Sequence, residues 1–179
     1  MTFEIVITGL VLAAIASIFA STLMTGISPL PTSGAVRRVV LDMVPDHVDG
    51  IIYELGSGWG GLARALAIQY PENRVRAYEV SPLPWGVSAF RWLYKGPYNL
   101  RYRYGNFLKA DLSDAALVVV YLTGPIMEKL KPKLEAELPP GALVASNTFA
   151  LRNWEPIAVQ TAPDIHSSPV YLYRVGEKD

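Results

Sequence analysis

An apolar run, Gly50-Ile51-Ile52-Tyr53, leads into Glu54-Leu55-Gly56-Ser57-Gly58-Trp59-Gly60-Gly61, and a helix-forming run from Leu62 to Ala67 follows at once. That order is strand, tight turn, helix, and few folds accommodate it. Glycines let the backbone turn sharply and leave no Cβ between it and a ligand. The helix N-terminus then directs its unsatisfied N–H groups into the same crevice. A turn of this kind at the carboxyl end of a first strand is where open α/β sheets hold nucleoside cofactors.

The glycine spelling leaves two cofactor classes open. Gly56, Gly58 and Gly61 fit G-x-G-x-x-G, the dinucleotide pattern. Gly56, Gly58 and Gly60, with an acid two residues ahead, equally fit the S-adenosylmethionine pattern. Two carboxylates refine the reading. Glu54 stands where a carboxylate meets the ammonium of S-adenosylmethionine, directly or through water, whereas an anion there would repel a pyrophosphate. Glu79 ends the next strand-like run, about twenty residues past the turn, the usual distance of a ribose-hydroxyl acceptor. Both cofactor classes use that acceptor, so Glu79 predicts nucleoside binding without choosing between them.

The remaining segments break the tie. Thr32 or Ser33 caps a helix beginning near Ala35, with Val36, Val39, Val40 and Met43 as its apolar stripe. The turn helix runs from about Gly60 to Gln69, and the second strand is Arg74–Val80. An aromatic helix, Trp85–Tyr94, precedes a third strand near Leu100–Tyr104. Ala115–Leu122 is a continuous apolar run, as expected of a strand covered on both faces. Ile126–Leu138 reads as a charged helix in which Pro132 predicts a kink or a late start. A fifth strand, Ala142–Ser146, is followed by Pro156–Thr161 and Val170–Val175, joined too closely for a helical crossover and therefore antiparallel. Alternating strand–helix units that end in an antiparallel pair are the order of a class I methyltransferase, whereas a dinucleotide domain continues with a second parallel half. The expected fold is α/β, a Rossmann-like class I methyltransferase sheet, and the expected cofactor is S-adenosylmethionine.

Composition bounds the partners. The chain carries 16 basic and 16 acidic residues and no cysteine, and its two histidines, His47 and His166, stand far apart. Nothing here indicates nucleic-acid binding, a metal site or a cysteine nucleophile. The apolar excess sits at the start: no charged residue occurs from Ile5 to Val36, and Ile5–Met24 is twenty residues long. At 1.5 Å per residue that helix spans about 30 Å, the thickness of bilayer hydrocarbon. Its ten Ile, Leu, Val and Phe side chains supply about −3 to −6 kcal/mol toward insertion. A signal peptide would carry a basic leader and a transit peptide would be arginine-rich. A buried helix of a soluble domain is the third alternative, against which apolar residues occur on all sides of this one. Residues 1–28 are accordingly expected to form a transmembrane segment and residues 29–179 the catalytic domain. Arg37 and Arg38 flank the span on its carboxyl side, which orients a single-pass protein with its domain in the cytoplasm.

Four segments together resemble one methyltransferase family. They are Pro31-Thr32 ahead of the glycine turn, Tyr78-Glu79-Val80-Ser81-Pro82 entering an aromatic helix, Tyr121-Leu122-Thr123-Gly124-Pro125-Ile126-Met127 entering a Lys/Glu-rich helix, and Asn147-Thr148-Phe149-Ala150-Leu151 with Trp154 close behind. The family is that of the membrane-tethered protein-lysine methyltransferases that modify the ATP synthase c subunit, with prokaryotic relatives. The resemblance covers roughly Pro29 to Val175. It departs where the family has Asp-Gly-Arg and this chain has Trp59-Gly60-Gly61, and where the family's acid near the adenine is Asn106 here, in Gly105-Asn106-Phe107. What it implies is a protein substrate at the membrane. The cofactor would be held by Glu54, Gly56, Ser57, Gly58, Trp59, Gly60, Glu79, Val80, Asn106 and Phe107. Tyr121, Thr123, Phe149 and Trp154, together with Asn147, would line the substrate amine. Two other readings stay open: a small-molecule or lipid methyltransferase at the membrane, and a catalytically silent S-adenosylmethionine-binding scaffold.

Overall fold

The computed structural model describes residues 2–26 and 31–176. The expected boundary at residues 28/29 lies outside the described residues. Helix α1 (Thr2–Thr25) is followed by α2 (Gly34–Met43), β1 (Ile51–Leu55), α3 (Gly61–Gln69), β2 (Val75–Glu79) and α4 (Pro82–Lys95). Then come β3 (Leu100–Tyr104), a single 3-10 turn (Phe107–Lys109), β4 (Ala115–Val120), α5 (Gly124–Glu137), β5 (Leu143–Asn147), β6 (Ala158–Thr161) and β7 (Pro169–Arg174). The seven strands form one sheet in the order β3-β2-β1-β4-β5-β7-β6. Pairs among β1 to β5 are parallel, and β7 runs antiparallel to both β5 and β6. The strand order reverses beside β1, between β1 and β4, so the crevice above their carboxyl ends is the topological switch point.

Side-chain alternation divides the core into two layers. Ile52, Val119 and Ala145 enter the cluster packed beneath α2 and α3, whereas Tyr53, Leu55, Val118, Val120 and Val144 enter the cluster beneath α5. That alternation within wholly apolar strands explains why β4 reads as an unbroken hydrophobic run. Ser33 begins α2, its Oγ accepting the Val36 N–H at 3.2 Å, and Val36 and Val40 turn inward. Helix α1 contains an apolar stretch, Phe3–Leu23, long enough to cross a membrane, and its most apolar window is unburied.

Helix α5 corrects the expectation for Pro132. The helix starts early, at Gly124, with Pro125 in its first turn, and runs continuously through Pro132. Proline there removes the hydrogen bond to the carbonyl four residues back, that of Glu128. Both Glu128 and Pro132 are exposed, so water takes the freed carbonyl, while Met127, Leu130 and Leu134 hold the inner face.

Candidate cofactor and substrate cleft

The β1–α3 turn is braced from every side. Gly56 N–H and Ser57 N–H both donate to the Tyr78 carbonyl on β2, at 2.9 and 2.8 Å. Glu79 accepts the Gly58 N–H on Oε2 at 2.6 Å and the Ser81 N–H on Oε1 at 2.7 Å. The turn's carbonyls are held in the same way: Ser88 donates to Gly58 O at 3.2 Å, and Tyr102 donates to Gly60 O at 2.7 Å. Gly56 has φ +81° and a Cβ there would stand 2.8 Å from Leu122 Cδ2, so any other residue is strained at this position. Gly58 has φ +51° and nothing within 4 Å of where its Cβ would be, which leaves bare backbone facing open space.

Glu54 lies beneath the turn. It is 5 % exposed and accepts the Ala63 N–H in the first turn of α3, whose N-cap Gly60 offers no side chain. Burial raises its pKa well above the ordinary carboxylate value, opposed by the Ala63 hydrogen bond and reinforced by the neighbouring Glu79 charge. Its Oε2 and the Ser57 Oγ are buried without a hydrogen-bond partner among the described residues. Orphaned buried acceptors of this kind call for a donor that the chain does not supply. Tyr102, half-buried, has its phenol pKa raised by desolvation first and by the Glu54 charge second, which keeps it a proton donor to Gly60.

Above the turn is a cavity of about 430 Å3. Its walls contain Gly56, Ser57, Gly58, Trp59, Glu79, Val80 and Phe107 of the expected cofactor residues, and Tyr121, Thr123 and Phe149 of the expected substrate residues. Five expected residues are placed elsewhere. Asn147, at the end of β5, is buried off the cavity wall, its Oδ1 accepting the Thr148 hydroxyl. Glu54 is under the floor, and Gly60 faces a second cavity between α3 and α4. Asn106 is exposed and caps the 3-10 turn, its Oδ1 accepting the Leu108 N–H at 2.9 Å. Trp154 donates its indole N–H to Glu135 on α5 at 3.0 Å and meets the Tyr173 ring edge-on, away from the cavity wall.

Sequence reasoning missed several wall residues, among them Arg37, Ser81, Arg91 and Leu122. It also missed the strain that presents Phe149. Thr148 has φ +68°, a left-handed conformation that costs a β-branched residue on the order of 1–3 kcal/mol. Neighbouring bonds over-determine it: Thr148 N–H donates to Pro169 O at 2.7 Å, its hydroxyl to Asn147 Oδ1 at 2.9 Å, and Ser146 Oγ to Phe149 O at 2.5 Å.

The donor set fits S-adenosylmethionine. Bare backbone at Gly58, a carboxylate tethered beside it at Glu79, an unsatisfied acceptor at Glu54 and apolar walls at Val80 and Phe107 suit a nucleoside with a cationic amino-acid tail. The family model for the ANTKMT methyltransferase domain matches residues 54–158. A protein-lysine N-methyltransferase of Saccharolobus islandicus is 32 % identical over 159 residues, 83 % of this chain and 93 % of that one. The adenine nucleotide translocase lysine N-methyltransferase of Mus musculus is 34 % identical over 111 residues, 62 % of this chain and 48 % of the mouse protein. Among solved structures, an RNA methyltransferase from Salinibacter ruber with bound S-adenosyl-L-homocysteine superposes with a TM-score of 0.73 at 27 % identity, covering 84 % of this chain and 96 % of that one. A precorrin-6y methyltransferase from Geobacter metallireducens, at 16 % identity and a TM-score of 0.59, shares the fold. On these grounds the chain belongs to the family of the ANTKMT methyltransferase domain and is an S-adenosylmethionine-dependent methyltransferase.

Proposed function

We propose that this enzyme methylates a lysine side chain of a membrane-associated protein. The observation that carries the reading is the match to a protein-lysine N-methyltransferase along nearly the whole of that relative. The cleft suits the chemistry. The cofactor's sulfonium supplies an activated methyl, and the protein's task is to align a neutral amine with it and keep water out. Tyr121 and Thr123 close β4, and Phe149 is held after β5, so the three project from adjacent strand ends into one wall. Half-buried aromatic surroundings disfavour the ammonium and release the amine as nucleophile. They also accept the cationic methylated product against a ring face. Among the described residues, Glu79 is the one carboxylate in the cavity wall, and both of its oxygens already accept backbone N–H groups. Lysine deprotonation by desolvation, without a carboxylate base, is the economical reading.

In this proposal Glu54 and Ser57 receive the amino-acid end of the cofactor, Glu79 its ribose, and Val80 and Phe107 flank its base. Asn106 is available at the adenine edge through its amide nitrogen. Helix α1 tethers the domain to a bilayer, and confinement there raises the effective concentration of a membrane-bound target. The test is to incubate native membranes with methyl-labelled cofactor and the purified full-length enzyme. Label recovered as methyl-lysine in protein supports the proposal. Label in the lipid extract, or in soluble small molecules, refutes it in favour of the corresponding alternative.

A further inference from the structure

We propose that α4 is a membrane-docking surface that seats the catalytic domain on an anionic phospholipid face beside the α1 anchor; this rests on the reading of α1 as a span. Helix α4 presents Phe90, Leu93 and Tyr94 to solvent, 73 %, 75 % and 81 % exposed, at positions i, i+3 and i+4 of one face. Tyr98, just beyond the helix, is 75 % exposed. Exposed large apolar side chains gathered on one helix face mark a surface with a partner.

Charge identifies the partner. From Val80 to Ala110 the chain has five basic residues, Arg91, Lys95, Arg101, Arg103 and Lys109, and no acid. The whole molecule is neutral, so the excess is local. Among the described residues none of the five forms an ion pair. Arg101 lies over the Trp92 ring at 4.8 Å, against the flank of α4. Between α3 and α4 a cavity of about 330 Å3 is bordered by Arg64, Arg91 and Lys95 together with Phe90 and Tyr94, again without an acid. Aromatic rings interleaved with cations that have no carboxylate partner suit the headgroup layer of an acidic leaflet.

Position settles the choice of a bilayer over other anionic partners. The partly or fully buried positions of α1 are Ala14, Ser17, Ile18, Ser21 and Thr22, one face of the helix at three- and four-residue spacing, and α4 is the element against which α1 packs. Ala14 to Thr22 covers about 12 Å at 1.5 Å per residue, within the candidate span Phe3–Leu23. A helix packed against the carboxyl-terminal part of a span is held at the membrane boundary. Its outward face then meets lipid.

The absence of native cysteine makes the test direct. The full-length protein is reconstituted in phosphatidylcholine vesicles with and without phosphatidylserine, carrying one NBD-labelled cysteine at a time: Tyr94→Cys or Phe90→Cys on α4, Leu12→Cys in the span, and Glu155→Cys on the far side of the sheet. The expected result is quenching of both α4 probes by a headgroup-level nitroxide lipid, strengthened by phosphatidylserine, and no quenching at Glu155→Cys. Replacing Lys95 and Arg103 by Gln should weaken the phosphatidylserine-dependent component by roughly fivefold per charge. A Leu12→Cys probe embedded in lipid beside α4 probes left in water overturns the docking surface and leaves the anchor standing. A Leu12→Cys probe in water removes the anchor and the docking surface together. Protection of the α4 probes that rises with protein concentration and ignores the nitroxide assigns the face to a second copy of the chain and overturns the proposal. So does protection produced by single-stranded RNA without vesicles.

Discussion

Replacing Glu79 separates the two tasks that the structure gives it. The carboxylate accepts the Gly58 N–H at 2.6 Å and the Ser81 N–H at 2.7 Å, and it is 6 % exposed. Glu79→Ala removes both acceptors. A hydrogen bond to a charged partner contributes about 1.5–3 kcal/mol, and a donor left unsatisfied costs a similar amount. Glu79 borders the open cavity, so water reaches both freed N–H groups and the lower half of that range applies, about 3–4.5 kcal/mol for the pair. For a domain of this size that lowers the unfolding midpoint by about 6–18 °C. Loss of a ribose acceptor adds about 1–3 kcal/mol to the free energy of cofactor binding, a 5- to 150-fold rise in Kd. Glu79→Gln keeps one acceptor and turns an amide donor toward the other N–H. It should lose about half the stability and nearly all of the ribose contribution. Thermal unfolding and titration calorimetry with S-adenosylmethionine read the two effects separately. An alanine variant with an unchanged midpoint would show that the turn does not depend on this carboxylate. An unchanged Kd would remove Glu79 from the cofactor site.

Two further perturbations follow from local chemistry. Burial raises the pKa of Glu54, so the free enzyme should lose stability as pH rises from the ordinary carboxylate value of 4.5 toward the elevated folded value, because the folded state then holds a proton that the unfolded state releases. Glu54→Gln should abolish that slope in thermal melts. In calorimetry across buffers of different ionisation enthalpy, a cationic cofactor tail should drive proton release from the wild type and none from the variant, and equal proton counts would refute the pairing. Pro132→Ala restores a donor on the exposed face of α5 and should stabilise the fold by about 1–3 kcal/mol. A midpoint that fails to rise would mean that water already satisfies Glu128 O at no cost.

Most of the sheet was legible because each strand carries a local signal. β3 begins and ends where the sequence places it, and the other strand boundaries move by at most two residues. The antiparallel tail was legible too, since the short link between β6 and β7 forbids a crossover. Pro132 misled because a proline penalty depends on which side of a helix loses its hydrogen bond, and periodicity in a Lys/Glu-rich stretch leaves that side undefined. The site was legible where one segment supplies it, as in the glycine turn and Glu79. It was not legible where contacts cross the sheet. Nothing in Leu100–Tyr104 marks Tyr102 as the donor to Gly60, and Arg37 reads as a membrane-flanking charge until α2 carries it to the cavity wall. Trp154 stands off the cavity wall for the converse reason: an aromatic near a motif looks like lining, but its indole N–H donates to Glu135.

The two carboxylates of the turn illustrate how one motif divides structural and functional work. Glu79 sits at a strand end with both oxygens satisfied by backbone, so it is fixed and available only through its remaining lone pairs. Glu54 sits one strand over with one oxygen on Ala63 and the other unsatisfied, so its ionisation is costly until a cation arrives. The first therefore shapes the turn before ligand binds, and the second gives the empty site a deficit that a positively charged tail corrects. A neutral or anionic nucleoside would satisfy Glu79 and leave Glu54 uncompensated. Discrimination between S-adenosylmethionine and its uncharged-tail analogues should consequently collapse in Glu54→Gln while ribose recognition persists, an outcome that glycine spelling alone does not anticipate.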